Sequence, residues 1–328
     1  MAEGQVMHKL QVGEFFQNMQ ERLSLELVNT PKGLVRDITQ KDLHRPGLAL
    51  AGFIDLFTYD RMQILGNTEI RYLNSLSGAD REQSLKRVFR FEIPCIIVSN
   101  SNKVPPELTA IADQSGVSIF VTPFTTTELA HLLSDYLDHR FAPSMIVHGS
   151  LVDVYGTGLL FTGRSGIGKS EVALDLVERG HRLVSDDVVT LTRTADNVIM
   201  GTGSELLKHY MEIRGVGIID VGRMFGVRAI RLQKRVETEV ELVDWSGEED
   251  YERTGIEDAY KEYLGVKLPY VRLPIFPGKN VTVIAETIAL NLHLKVYGFH
   301  PARQFSAALT DAMKSRKGIE NYLEKDFE

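Results

Sequence analysis

Apolar and polar residues follow two rhythms along residues 1 to about 138. Val6–Arg22 and Leu108–Gly116 repeat at helical spacing. Thr125–Arg140 does the same, with Leu129, Leu132, Leu133, Tyr136 and Leu137 along one face. Ile96–Ser99 and Ser118–Val121 are brief β-branched runs between turn residues, the mark of short buried strands. The helical pattern stops at His139-Arg140-Phe141-Ala142-Pro143, where Pro143 disfavours helix at Ala142. The pattern predicts an α/β protein with a small α/β domain over residues 1–138 and a second domain over 139–328.

The second half changes character. Val147–Val154 and Leu159–Thr162 are largely apolar, β-rich runs separated by Tyr155-Gly156-Thr157-Gly158, which predicts a hairpin. Glu171–Arg179 has the helical pattern, and Gly180 can end it in a left-handed conformation. Leu183–Val189 looks like a strand interrupted by Asp186 and Asp187. Pro274 and Pro277-Gly278 mark a late loop, and Ala285–Tyr297 a late helix.

Composition narrows the picture. Hydrophobic residues at 43% and charged residues at 25% suit a globular chain with a sizeable core. A net charge of −7 does not suit broad binding to nucleic acid or anionic membranes. The single cysteine, Cys95, sits in an apolar run and is expected to be a buried small hydrophobe. One cysteine cannot close an internal disulfide, which fits a reducing compartment. No apolar stretch has the length of a membrane span, and no signal peptide is visible, so a cytoplasmic location is expected.

The strongest chemical signal is Gly163-Arg164-Ser165-Gly166-Ile167-Gly168-Lys169-Ser170, a full match to G-x-x-x-x-G-K-[ST]. Its glycines let backbone N–H groups approach phosphate oxygens. Lys169 would reach the β- and γ-phosphates of ATP, and the Ser170 hydroxyl would meet magnesium. The helix that opens at the loop adds its positive end. The strand before the loop looks like the second arm of a hairpin, which argues against a GTPase or a transport ATPase.

Phosphoryl transfer also needs metal ligands and a group for the acceptor's proton. Asp186 and Asp187 are candidates, although neighbouring strand residues face opposite ways unless the backbone bends. Glu212 and Arg214 share a face if the chain there is extended. They suit metal and phosphate, and a surface salt bridge fits them equally. His148 alone has the pattern of a satisfied core or surface residue, and Arg253 that of a solvated face. Pro274-Ile275-Phe276-Pro277-Gly278-Lys279-Asn280 is a rigid turn carrying a cation.

Taken together, these residues resemble the HPr kinase/phosphorylase family, which acts on a serine of the phosphocarrier protein HPr of the sugar phosphotransferase system. The resemblance rests on His148-Gly149-Ser150-Leu151-Val152-Asp153-Val154-Tyr155-Gly156, the phosphate loop through Glu171, and Asp186-Asp187. It also rests on Met211-Glu212-Ile213-Arg214-Gly215-Val216-Gly217-Ile218-Ile219-Asp220-Val221 and the loop near Pro277. It covers the whole C-terminal half in order. The N-terminal half is similar mainly in length and in Arg45-Pro46-Gly47-Leu48.

The resemblance implies a P-loop kinase domain similar to phosphoenolpyruvate carboxykinase, with the N-terminal domain regulating or assembling it. It implies Asp187 as the base, Lys169 as the stabiliser of the moving phosphoryl group, and Ser170 and Glu212 as magnesium ligands. His148 and Arg253 match catalytic positions. Met211 to Asp220 would serve both phosphorylation and dephosphorylation, and Pro274 to Lys279 chiefly dephosphorylation. Inorganic phosphate would attack phosphoserine and release pyrophosphate. A homohexamer is implied as well.

The family usually carries arginine where this chain has Phe276 and again where it has Lys279. Lysine loses the bidentate fork and phenylalanine the charge, so an intact kinase with weakened phosphorolysis is expected. Two other readings compete: a kinase of the same fold acting on another hydroxyl substrate, and a non-catalytic nucleotide sensor. The paired aspartates and Glu212 count against the sensor.

Overall fold

The computed structural model describes residues 9–194, 197–204, 208–246, 259–276 and 278–324, with side chains described to residue 313. The chain divides into two compact units, which meet in sequence between Ala142 and Pro143.

The first unit is built on a five-stranded sheet. Its strands run in the order Glu26–Leu27, Ser118–Val121, Cys95–Val98, Met62–Leu65 and Leu43–His44. The last four are parallel and the first is antiparallel. Alternation along the central strands feeds two cores. Ile96, Val98 and Ile119 join one cluster, while Cys95, Ile97 and Phe120 join the other. Both faces are therefore covered, which is why these strands are continuous apolar runs. Cys95 is buried as expected, and burial pushes its thiol up to about 12.

The helix at Thr126–Arg140 opens on a capping box. Thr125 Oγ1 accepts from the Glu128 N–H, and the Glu128 carboxylate accepts from the Thr125 N–H. The first helix is shorter than its pattern predicts. Leu10–Gln11 pairs with Asp37–Ile38 as a short strand, and the helix runs from Val12 to Leu23. Pairing with Ile38 wins Leu10 for a strand, although its spacing also suits a helix.

The second unit holds a six-stranded and a four-stranded sheet. The six-stranded order is Arg182–Ser185, Ser150–Val154, Thr157–Thr162, Thr238–Asp244, Val266–Ile275 and Ala259–Tyr263. Thr157–Thr162 is antiparallel to Ser150–Val154 on one side and parallel to Thr238–Asp244 on the other. It is thus both the second arm of a hairpin and a member of a parallel set. The hairpin turn is two residues long, Tyr155 and Gly156, both at positive φ, 52° and 85°. Thr157 and Gly158 lie in the strand, not in the turn that the sequence predicts.

Leu159 and Phe161 point into one core with Val152, Val154, Ala173, Leu176, Ala285 and Ala289. Leu151 and Leu160 point into another with Val147, Val184, Val189 and Val236. The first core is roofed by the helices Lys169–Glu178 and Val281–Val296. Each fully buried Leu or Phe here contributes about 1.5–3 kcal/mol.

The four-stranded sheet is antiparallel, in the order Gln233–Arg235, Ile199–Gly203, Val188–Arg193 and Ser144–His148. Two predicted strands are each split between the sheets. Val147–Val154 breaks at Gly149, and Leu183–Val189 breaks at Asp186-Asp187. Gly149 has no alternative there, because an added Cβ would lie 2.4 Å from the Phe161 carbonyl oxygen. The two segments run side by side, so a two-stranded ribbon leaves one sheet and enters the other through a single bend.

Among the described residues no helix is long and apolar enough to cross a membrane.

Candidate active site

The phosphate loop leaves the sheet after Thr162 and ends on the helix Lys169–Glu178. Gly163, Gly166 and Gly168 have φ of 137°, 77° and 108°, conformations that L side chains rarely adopt. Strand, glycine-rich loop and helix N-terminus thus follow in the order that an anion cradle requires. The Lys169 ammonium is turned over the loop and donates to the carbonyls of Gly163 at 3.1 Å and Arg164 at 3.2 Å. Arg164 is paired with Asp244 through Nε and Nη2, at 2.5 and 2.7 Å. The contact holds the guanidinium above its ordinary range and the carboxyl below it.

The ribbon bend brings the aspartates to this loop. Asp186 is buried, and the Ser150 hydroxyl donates to its Oδ1 at 2.5 Å. Burial pushes the Asp186 carboxyl up, against hydrogen bonds from Ser150, from the Ser170 hydroxyl and from the Asp187 backbone that pull it down. The phosphate-loop serine therefore lies close to the buried aspartate. Asp187 is exposed and has a left-handed backbone, φ 63°. This is a backbone bend that breaks the strict strand alternation between the adjacent aspartates. The Gly149 N–H donates to the Asp187 carbonyl at 3.0 Å.

His148 ends the strand Ser144–His148, opposite Val188 and so one residue from Asp187 in register. It belongs to the four-stranded sheet rather than to the hairpin where the sequence predicts it.

Met211 to Asp220 form a separate antiparallel hairpin, Tyr210–Ile213 with Gly217–Asp220. Arg214 lies in its turn, past the strand end, so alternation does not put it on a face with Glu212. The turn instead carries its guanidinium to the phosphate loop. An added Cβ on Gly166 would lie 2.6 Å from Arg214 Nη1. Glu212 is exposed, with no hydrogen bond to Ser170 or Asp186 among the described residues. Val216 and Ile218 of the same hairpin are exposed, while Met211 is buried in the core.

The late loop reaches the same sheet edge by topology. Thr157–Thr162, Thr238–Asp244 and Val266–Ile275 are parallel, so their C-terminal ends face one way. Pro274 and Ile275 are the last residues of the third strand rather than loop. Phe276 packs edge-on against Trp245, ring centroids 5.6 Å apart. Lys279 Nζ lies 5.3 Å from the Phe276 ring and donates to the Pro274 carbonyl at 2.7 Å. Its desolvation lowers the Lys279 pKa. Arg253 and Pro277 lie outside the described residues.

Sequence reasoning missed Ser150, Asp244 and Trp245 as parts of this edge. Ser150 stands in a quoted motif, but only the bend reveals its partner. Asp244 meets a residue 80 positions away, and no local pattern announces that.

These oxygens suit a hard divalent cation. Magnesium is commonly held by one or two carboxylates together with substrate phosphates, and the Asp186 carboxylate with the Ser170 hydroxyl close by offers such ligands.

The chain matches two family models. Residues 139–309 match the HPr Serine kinase C-terminal domain, and residues 10–137 match the HPr Serine kinase N terminus. A protein named HPr kinase/phosphorylase from Chloroherpeton thalassium is 50% identical over 326 residues, 97% of this chain and 96% of that relative. One of the same name from Prosthecochloris aestuarii is 48% identical over 326 residues, again 97% and 96%. A solved structure described as the Hpr(Ser) kinase/phosphatase from Coxiella burnetii shares 34% identity. It covers 49% of this chain and 98% of its own, with a TM-score of 0.44. With a full-length relative at this identity and a family model over most of each half, the chain belongs to the HPr serine kinase/phosphorylase family.

Proposed function

We propose that this chain transfers the γ-phosphoryl group of ATP to a serine of the phosphocarrier protein HPr, and that it also runs phosphorolysis. The observation that carries the site is the approach of the phosphate loop to the ribbon bend, where Ser170 lies close to Asp186 and Asp187 follows at the turn.

In the kinase direction the loop N–H groups and Lys169 hold the phosphates and balance charge as the transfer proceeds. Asp187 takes the proton as the serine oxygen bonds to the γ-phosphorus. The bond from that phosphorus to the bridging oxygen breaks, and ADP leaves. In the other direction an oxygen of inorganic phosphate attacks phosphoserine. The serine oxygen leaves with the proton from Asp187, and pyrophosphate forms. Ser170, Asp186 and Glu212 are the side chains that would hold magnesium or its waters, and the ion would supply charge to neutralise the phosphates.

Arg214 contacts the transferring phosphates from the hairpin turn. His148 and Arg253 complete the catalytic set, with His148 supported by its place one residue from Asp187 in register. Met211 to Asp220 serve both reactions and Pro274 to Lys279 chiefly the second. Phe276 offers no charge to a phosphate, and Lys279 is turned back onto its own loop, so phosphorolysis is the weaker activity. Residues 1–138 regulate or assemble the enzyme and 139–328 carry the chemistry, in a cytoplasmic homohexamer.

Purified protein mixed with HPr, ATP and magnesium tests the reading by intact mass. One added phosphate, absent with Asp187→Ala, supports it. No addition while ATP still binds would shift the acceptor to another hydroxyl compound.

A further inference from the structure

A buried polar cluster lies one layer beneath the phosphate loop, outside the site described above. Its centre is Glu239, fully buried in the strand Thr238–Asp244. Glu239 Oε1 accepts from Thr162 Oγ1 at 2.5 Å and from Lys261 Nζ at 2.7 Å. Oε2 accepts from the Tyr263 hydroxyl at 2.8 Å. Burial and then the Glu239 charge push the Tyr263 phenol well above its ordinary range, so it stays a donor. Lys261 Nζ also lies 5.6 and 5.7 Å from the rings of Tyr263 and Tyr270.

A carboxylate removed from water is costly unless its oxygens are satisfied by donors. Here three donors converge on it, Thr162 from one neighbouring strand and Lys261 and Tyr263 from the edge strand Ala259–Tyr263. Thr162 is the last residue before Gly163, where the strand lets go and the loop begins. The same neighbouring strand touches the loop twice more. An added Cβ on Gly163 would lie 2.5 Å from the Leu242 carbonyl oxygen, and Asp244 grips Arg164. One strand thus holds residues 162, 163 and 164 in turn, and only the deepest hold is fully buried.

We infer that Glu239 is a positioning residue for nucleotide binding, fixing through Thr162 the point and angle at which the phosphate loop leaves the sheet. Lys261 and Tyr263 fix Glu239 in turn, so the edge strand Ala259–Tyr263 is tied to the loop through one carboxylate. The inference rests on the reading that the loop binds the phosphates of ATP.

Thr162→Val keeps the shape of the side chain and removes one donor, while Glu239 keeps Lys261 and Tyr263. Titration of the full chain with a fluorescent ATP analogue should show binding weakened roughly tenfold, the scale of one hydrogen bond to a charged group. Thr162→Ser should restore affinity to within about twofold, because it restores the hydroxyl. E239Q should weaken binding further, since its amide N–H₂ would face a donor. A thermal melt run beside each titration separates positioning from bulk stability. A Thr162→Val protein that melts lower but binds the analogue as tightly as the parent would overturn the inference. Failure of the unmodified protein to bind the analogue would overturn the nucleotide reading, and this inference with it.

Discussion

The Gly149 N–H donates to the carbonyl oxygen of Asp187 at 3.0 Å, across the place where two neighbouring strands change sheets together. The bond holds Asp187 in its left-handed conformation, φ 63°. A non-glycine residue there is strained by about 1–2 kcal/mol relative to right-handed backbone. The strain aims an acid out of the bend beside the phosphate loop.

Asp187→Gly should therefore melt no lower than the parent, while Asp187→Ala should melt lower. Both should lose kinase turnover by about 10²–10⁴-fold, the usual contribution of a general base. Nucleotide affinity should change little. Melts, ATP titration and phosphate incorporation on the same preparations check the three parts.

Replacement of Lys169 by Met should cut kcat/KM for ATP by at least about a hundredfold, the scale of one lost charge-stabilising donor. Folding should be nearly unaffected, since among the described residues Lys169 Nζ bonds only to two carbonyls of its own loop. Urea unfolding compared with initial rates will show the split.

Gly166→Ala sets a Cβ 2.6 Å from Arg214 Nη1 at a φ of 77°. The backbone part of the cost is about 1–2 kcal/mol in any background. The steric part should vanish when Arg214 is also Ala. A double-mutant cycle on folding stability should return a coupling of about 0.5–3 kcal/mol. Full additivity would mean that Arg214 does not lie against the loop.

Hydrogen bonds from Arg179, and then from His181, hold the Glu286 carboxyl at about 2, below its ordinary 4.5, against the upward push of burial. The unfolded chain binds the proton more readily, so this stabilisation is complete above pH 4.5 and fades as pH falls toward 2. Glu286→Gln should destabilise the protein at pH 7 and make far less difference near pH 2.5. Denaturant midpoints across that window test it.

Phe276→Arg should raise phosphate-dependent release of pyrophosphate from phosphorylated HPr by several-fold, on the order of one added charge-assisted contact. Kinase rate should stay within about twofold. Pyrophosphate assay is the direct measurement.

Much of this site is visible in the chain before folding. The phosphate loop is contiguous, so its spacing alone announces strand, cradle and helix. Asp186-Asp187 interrupts an apolar run, and that interruption marks it. The change of sheet is not visible, because Leu183–Ser185 and Val188-Val189 look equally like strand and hydrophobicity does not say which sheet a strand joins. Glu239 was hidden for a different reason. In Thr238-Glu239-Val240-Glu241-Leu242 the charged positions alternate with apolar ones, the pattern of a strand with one wet face. Tyr263 and Lys261, more than 20 residues on, turn that face into an interior. Arg214 was misplaced because a glycine-bearing turn ended its strand one residue early.

The bent ribbon also decides what can move. Both of its strands cross from sheet to sheet at the same level and are bonded to each other there, so neither sheet can slide past the other without breaking paired strands on both sides of the bend. The two aspartates are thus fastened to a corner that both sheets share, like a fixed anvil. On the proposed reading, whatever closes over the reaction must be supplied by the pieces that hang from the sheet edge, and a protein substrate must bring its serine to the corner.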